Sequence, residues 1–295
     1  MGSGTAKWAK DAFAGGTAGL VVHTVVAPLE RVKQLLQTQD SNRRIRLGEI
    51  PRYKGIVDCF QRIVKDEGVA ALWRGNFSDL YRYFPNQALS FAFKEQYKTL
   101  FNRYDPKTEF GKYFAANLAA GGAAGTSALV IIHPLDVAST RITADIGTHA
   151  TRQFRNIWDV LYHVYRQEGA RGLYRGLLPT VEGIFVYRAC YFGTFDTAKW
   201  VLFEDPERPP FWKNFLLSQV TSVVSAFVAY PFDTVRHRLM MQSGEQSQEF
   251  SSTRDCWGTI WRKEGIRGFY RGWNANVLRS AAAGSTLVLY DEVKS

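Results

Sequence analysis

Acids and bases recur at one fixed spacing along this chain. Glu30 precedes Lys33 and Asp233 precedes Arg236 by three residues, and Asp136 stands in the same place ahead of Ser139. A second series has the same offset: Glu95 with Lys98, Asp196 with Lys199, and Asp291 with Lys294. On a solvated helix such i, i+3 pairs contribute only about 0.2–0.5 kcal/mol each. Their chemistry would change if acid and base came from different helices, because each could then close a contact that opens again. A third set breaks the pattern. Arg82, Gly183 and Arg279 each lie eight residues after the Arg of a short aromatic-Arg-Gly triplet. Two guanidiniums suit phosphate oxygens, which they grip bidentately. The plainer alternatives are a structural ion pair for Arg279 and a helix-packing glycine at position 183.

These residues are placed by an internal repeat. Pro28-Leu29-Glu30, Pro134-Leu135-Asp136 and Pro231-Phe232-Asp233 are one motif, spaced 106 and 97 residues apart. Glu67-Gly68, Glu168-Gly169 and Glu264-Gly265 form another, spaced 101 and 96. Seven residues after each of those glutamates comes the Arg of Trp73-Arg74-Gly75, Tyr174-Arg175-Gly176 or Tyr270-Arg271-Gly272. Two linked motifs in one order, three times over, mark three homologous units, assigned here to 1–107, 108–208 and 209–295. If the units pack around a pseudo-threefold axis, each acid reaches the base of the next unit and an ionic ring closes each mouth of a central cavity. Rings that form and break in turn make a gate. Residues that hold a symmetric fold should obey its symmetry, and residues that bind an asymmetric ligand should break it, as Arg82, Gly183 and Arg279 do.

Each unit carries two long apolar segments. Ala12 to Leu29, Tyr113 to Leu135 and Asn214 to Phe232 hold 18, 23 and 19 residues without a formal charge, near the roughly 20 that cross a bilayer core. Each ends at the Pro-x-acid motif, where proline removes a backbone hydrogen bond and should kink a helix. The second segments, from Asn76 to Leu100, Leu178 to Phe203 and Asn274 to Lys294, carry Arg82, Glu182, Arg188 and Arg279 partway along. A charge at mid-bilayer costs about 2.5–3.5 kcal/mol or more, so these side chains should face water or a partner. Between the segments, Tyr53 to Lys65, Phe154 to Arg166 and Ser252 to Lys263 read as short surface helices, with Ile56, Phe60 and Ile63 on one apolar face. The expected fold is therefore all-α: six membrane helices, the first of each unit kinked at its proline, and three surface helices. Six spans put both termini on one side, and the start shows no cleavable signal pattern.

The composition fits this picture once it is divided. The net charge is +10, from 37 basic and 27 acidic residues, and the mean hydropathy of −0.21 averages nearly uncharged helices with charge-rich ones. Three cysteines in no metal-binding spacing argue against a disulfide framework and a metal site. Neither a P-loop, a GxGxxG run nor a nucleophile motif is present, so no enzyme and no cofactor is expected. A soluble basic nucleic-acid binder is disfavoured by the three uncharged runs.

With its threefold Pro-x-acid-x-x-base pattern the sequence resembles the mitochondrial carrier family, over essentially the whole chain. Within that family it is similar to the ADP/ATP carriers, in Arg82-Tyr83-Phe84-Pro85-Asn86-Gln87-Ala88-Leu89, in Tyr187-Arg188-Ala189-Cys190-Tyr191-Phe192-Gly193 and in Arg236-His237-Arg238-Leu239-Met240-Met241, where four of six signature positions match. The resemblance implies that all six membrane helices are kinked and surround a cavity, and that the chain exchanges ADP for ATP by alternating access across the mitochondrial inner membrane. It implies substrate contacts at Arg82, Gly183, Ile184, Tyr187 and Arg279, with His23 at a cavity lysine's place. The flat space beside Gly183 and Ile184 would take a purine, with Tyr187 stacked on it. It further implies a matrix-side gate of Glu30, Lys33, Asp136, Asp233 and Arg236 braced by Gln37 (or Gln37 is merely an exposed glutamine). The cytoplasmic-side gate is Glu95, Lys98, Asp196, Lys199, Asp291 and Lys294. Tyr187, Tyr191 and Phe195 form an aromatic ladder that either packs or lines the passage. One chain holds all three units, so a monomer suffices. Anionic lipid, cardiolipin by the resemblance, is expected near Gly75, Gly176 and Gly272.

Departures from the family pattern leave other functions open. His23, Ser139 and Glu182 make the cavity or its closed end less positive, and Ala229 and Phe195 lack hydroxyls that are usual there. A carrier for a different anionic nucleotide or phosphorylated metabolite, or a proton-leak protein on the same scaffold, is the alternative.

Overall fold

A computed structural model describes residues 2–101, 109–148, 150–203, 210–245 and 248–294. Each unit contributes a long helix, a short helix and a second long helix. Unit 1 holds α1 (Gly2–Thr38), α2 (Ile56–Glu67) and α3 (Asn76–Phe101). Unit 2 holds α4 (Phe110–Thr143), α5 (Ile157–Glu168) and α6 (Leu177–Leu202). Unit 3 holds α7 (Phe211–Met241), α8 (Thr253–Glu264) and α9 (Trp273–Lys294). No strand occurs among the described residues. The helices run on through Pro28, Pro134 and Pro231. Among the described residues, one helical stretch, Trp212–Met241, is by length and composition apolar enough to cross a bilayer.

The closest helix packing is between units. α3 lies on α4, α6 on α7 and α9 on α1, so the second long helix of each unit meets the first of the next and the ring closes. The triplet glycines permit this approach. Gly75, Gly176 and Gly272 have φ of +90°, +81° and +80°, a region that L side chains rarely adopt. A Cβ at Gly75 would overlap Thr143 of α4. At Gly176 and Gly272 it would meet the carbonyl oxygens of Arg236 in α7 and Lys33 in α1 at 2.9 and 3.0 Å.

The Glu-to-Arg offset of seven residues has a direct cause. Each motif glutamate pairs with the Arg of its own triplet: Glu67 with Arg74 at 2.8 Å, Glu168 with Arg175 at 2.5 Å and Glu264 with Arg271 at 3.4 Å. A fully buried arginine then ties each unit to the next. Arg31 holds Glu67 at 2.7 Å and donates to the Asp145 carbonyl of unit 2 at 3.1 Å. Arg141 holds Glu245 of unit 3 at 2.6 Å. Arg238 chelates Glu264 and reaches Asp40 of unit 1 at 3.5 Å.

Each short helix seals one of three apolar clusters at this end. Cys59 and Ile63 of α2, Val160 and Val164 of α5, and Cys256 and Ile260 of α8 occupy equivalent buried positions. Full burial of such an aliphatic side chain contributes about 1.5–3 kcal/mol. Burial pushes both the Cys59 and the Cys256 thiol up to about 12, so they stay protonated inside the clusters. Phe60 corrects the expected apolar face of α2: it is exposed, and Cys59, one turn from Ile63, is the buried residue. The short helices also start later than expected. Asn156 and Ser252 accept from the backbone N–H of Asp159 and Asp255, which fixes the N-termini of α5 and α8.

Candidate functional site

The long helices enclose a cavity of about 570 Å³. The residues that break the repeat converge on it: Arg82 from α3, Gly183, Ile184 and Tyr187 from α6, Arg279 from α9, and His23 from α1. Glu30, Lys33, Asp136, Asp233 and Arg236 line its closed end. Gln37 lies off the cavity, buried, where it donates to Asp233 Oδ2 and to Thr234, each at 3.0 Å. Of the second acid-base series, the side chains of Lys98, Asp196, Asp291 and Lys294 lie outside the described residues. Glu95 and Lys199 sit on α3 and α6 away from this cavity.

The closed end is not the regular ring that the repeat implies. Lys33 does meet the acid of another unit, Asp233, at 2.9 Å. Arg236, however, pairs with Asp233 of its own helix at 2.8 Å and not with Asp136. Asp136 takes Arg82 instead, at 2.9 Å. Glu30 has no base at position 139 to pair with, and Arg279 comes within 3.1 Å of it. Both arginines that break the symmetry are thus held by acids of the first series. The reason is proximity: Arg82 on α3 and Arg279 on α9 line the same cavity as the ring bases and reach the same carboxylates. Their hold is light. Arg82 makes one hydrogen bond, to Asp136, and Arg279 makes one, to Asn276 at 3.4 Å. Their side chains are 32% and 31% exposed.

Other expected positions need refinement. A Cβ at Gly183 would lie 3.0 Å from the Phe232 Cβ, so this glycine eases close packing of α6 on α7 as well as forming cavity wall. The ladder is real: Tyr187 and Tyr191 stack at 6.2 Å, and Tyr191 and Phe195 at 5.7 Å, with Tyr187 facing the cavity. His23 meets the Tyr83 ring edge-on at 5.1 Å. Glu182 is not among the lining residues, so it does not reduce the charge of the cavity wall as expected. Asp79 does, and sequence reasoning missed it. It lies 3.9 Å from Arg82 and accepts a hydrogen bond from Ser139. The signal was available, since the position three before Arg82 reads Asp79, Thr180 and Asn276 in the three units, a further break of symmetry.

Compared with known proteins, residues 4–105, 111–206 and 207–295 each match the mitochondrial carrier protein family. The chain is 50% identical over 285 residues to the ADP,ATP carrier protein of Parachlorella kessleri, covering 97% of this chain and 84% of that one. It is 48% identical over 291 residues to ADP/ATP translocase 3 of Homo sapiens, covering 97% of each. Against ADP/ATP translocase 2 of Bos taurus it is 47% identical over 298 residues, covering 100% of this chain and 99% of the other. The threefold motif, the closed ring of units and these matches agree: this chain belongs to the mitochondrial carrier protein family.

Proposed function

We propose that the chain exchanges ADP for ATP across the mitochondrial inner membrane, by alternating access through the central cavity. The observation that carries the reading is that the residues breaking the threefold repeat meet in one cavity, where two part-exposed arginines are only lightly held. A guanidinium has five N–H donors, so most of those on Arg82 and Arg279 are open to phosphate oxygens. Ile184 and Tyr187, across on α6, offer an apolar and an aromatic surface for the base. His23 adds an imidazole to the cavity wall beside Tyr83. The names of the relatives support the same substrates.

In this reading the six long helices span the membrane and the chain divides at 1–107, 108–208 and 209–295. Glu30, Lys33, Gln37, Asp136, Asp233 and Arg236 act at the matrix-side gate, closed in the described conformation. Glu95, Lys98, Asp196, Lys199, Asp291 and Lys294 act at the cytoplasmic-side gate. Transport is then a change of partners: phosphate draws the arginines off their carboxylates, and the gate loses contacts that hold it shut. Anionic lipid, cardiolipin in particular, fits a groove of about 600 Å³ between units 1 and 3, where Arg52, Lys54 and Arg271 flank the backbone of Gly55 and Gly272. The working form is a monomer, because one chain supplies all three units.

The test is uptake of labelled ADP by liposomes that contain the purified chain. Vesicles loaded with ATP or ADP should take up label, and empty vesicles or those loaded with AMP should not. Equal uptake by loaded and empty vesicles, from protein that is folded by thermal unfolding, would overturn the reading.

A further inference from the structure

The two arginines of the cavity are held by acids in different ways. Asp136 has a second base on the cavity wall: Arg236, the ring base that the repeat assigns to it, which rests on Asp233 at 2.8 Å but can be given up because Lys33 also holds Asp233, at 2.9 Å. Arg82 can therefore leave Asp136 without stranding it. Glu30 has no such substitute. The repeat assigns it the base of unit 2, as Asp233 receives the base of unit 1, but that place is Ser139. The Ser139 hydroxyl donates to Asp79 on α3, so it is turned away from Glu30. Lys33 is 4.0 Å from Glu30 and already committed to Asp233 at 2.9 Å. Gln34 offers Glu30 a neutral amide at 3.2 Å. Arg279, at 3.1 Å, is the nearest charge that Glu30 has.

We propose that Ser139 gives Arg279 two duties that exclude each other, so that in this chain capture of phosphate by Arg279 and release of the gate acid Glu30 are one event. The proposal rests on the ADP/ATP exchange reading and adds a coupling residue to it. Arg279 touches the substrate, whereas Ser139 is a positioning residue that acts by what it lacks. A cost follows: the nucleotide must compete with Glu30 for Arg279, which raises the concentration needed for half-maximal exchange. A gain follows as well, because bound nucleotide cannot leave Glu30 paired, so the closed end loosens only when substrate is present.

Ser139→Arg separates the duties. It should supply Glu30 with its own base, free Arg279 for phosphate and leave the gate closed after binding. In liposomes that exchange ADP for ATP, KM for ADP should fall about three- to tenfold and kcat should fall by at least as much. Asp79→Asn combined with Ser139→Arg should show the same split, since it removes the carboxylate that would otherwise capture the new arginine. Glu30→Gln should lower KM in the otherwise native chain, by releasing Arg279, but not in the Ser139→Arg background, where Arg279 is already free. Should the arginine variants fail to fold, Glu30→Gln in the native background still decides. An unchanged KM there, or KM and kcat within twofold of native in folded Ser139→Arg, would overturn the proposal. If the unmutated chain itself shows no ADP/ATP exchange, the functional reading fails first and the proposal falls with it.

Discussion

Two groups of arginines lie within one molecule and behave in opposite ways. At the sealed end, Arg31, Arg141 and Arg238 are 0–2% exposed, and each donates several hydrogen bonds to an acid and to backbone carbonyls. In the cavity, Arg82 and Arg279 are about a third exposed and make one hydrogen bond each. The first group joins unit to unit in cyclic order. The second stands at positions where unit 2 offers Gly183, and so breaks that order. A buried charge is tolerable only when it is paired, so these buried, multiply bonded arginines hold the fold together. A lightly paired arginine facing water can change partner at little cost, which is what a transported anion requires.

The contrast is broken most severely at the sealed end. Arg238→Ala leaves Glu264 without its buried partner and is expected to cost about 3–5 kcal/mol. Thermal unfolding in detergent measures this, and a loss below about 1 kcal/mol would mean that the sealed end is not what holds the units. In the cavity the same truncation should act on transport instead. Arg279→Ala removes charge-assisted hydrogen bonds to the nucleotide, and each such bond is worth about 1.5–3 kcal/mol. That corresponds to a loss of exchange efficiency of about tenfold to a hundredfold. Unfolding temperature should move less than for Arg238→Ala, since Glu30, whose side chain is 23% exposed, keeps Gln34 at 3.2 Å and Lys33 at 4.0 Å. If Arg279→Ala destabilises as much as Arg238→Ala, the two groups are not distinct.

The triplet glycines give an intermediate effect on the structural side alone. Gly272→Ala must accommodate a Cβ at φ +80° and 3.0 Å from the Lys33 carbonyl. Strain of this kind costs about 1–3 kcal/mol. Unit 1 should loosen from unit 3, and native hydrogen exchange should rise first in α9 and in the α1 segment that faces it. Uniform exchange along all three units would argue that the ring does not transmit the strain locally.

The fold was legible in the sequence because a threefold repeat states its own geometry: motif order gave the units, and charge-free runs gave the first long helix of each. The partners of the charges were not legible. Asp136 has Arg236 and Arg82 as candidate bases, 100 and 54 residues away along the chain, and only their placement in space favours Arg82. Arg31 was hidden for a related reason. Arg141 and Arg238 are equivalent in the repeat, but unit 1 has Leu35 at that position and fills the role from Arg31 instead. Asp79 was hidden because it breaks the symmetry by adding an acid to one unit, at a position outside both acid-base series. Phe60 misled because it is the larger apolar residue, while helix geometry places Cys59, four residues before Ile63, on the sealed face.

The smallest effect sharpens the comparison by separating stability from transport within one unit. α5 begins with Asn156, whose side-chain oxygen accepts from the Asp159 N–H at 2.9 Å, while the Asp159 carboxylate accepts from the Arg155 N–H at 3.1 Å. Two otherwise unpaired donors at the helix start are satisfied reciprocally. α2 lacks the first half of this arrangement, because Gly55 has no side chain to cap with and only Asp58 reaches back, to Lys54 at 2.9 Å. Asn156→Ala should therefore cost about 1 kcal/mol, as capping losses typically do. Asn156 lies far along the chain from every cavity residue of unit 2 and does not line the cavity. KM for ADP should stay as it was while the unfolding temperature drops by a few degrees. Gly55→Asn should work in the opposite sense only if position 55 can leave its extended backbone (φ 172°) for a capping geometry without disturbing Tyr53, which is buried against α2. A gain in stability at Gly55 together with a loss at Asn156, both at constant KM, would show that the surface helices support the sealed end and take no part in reading the substrate.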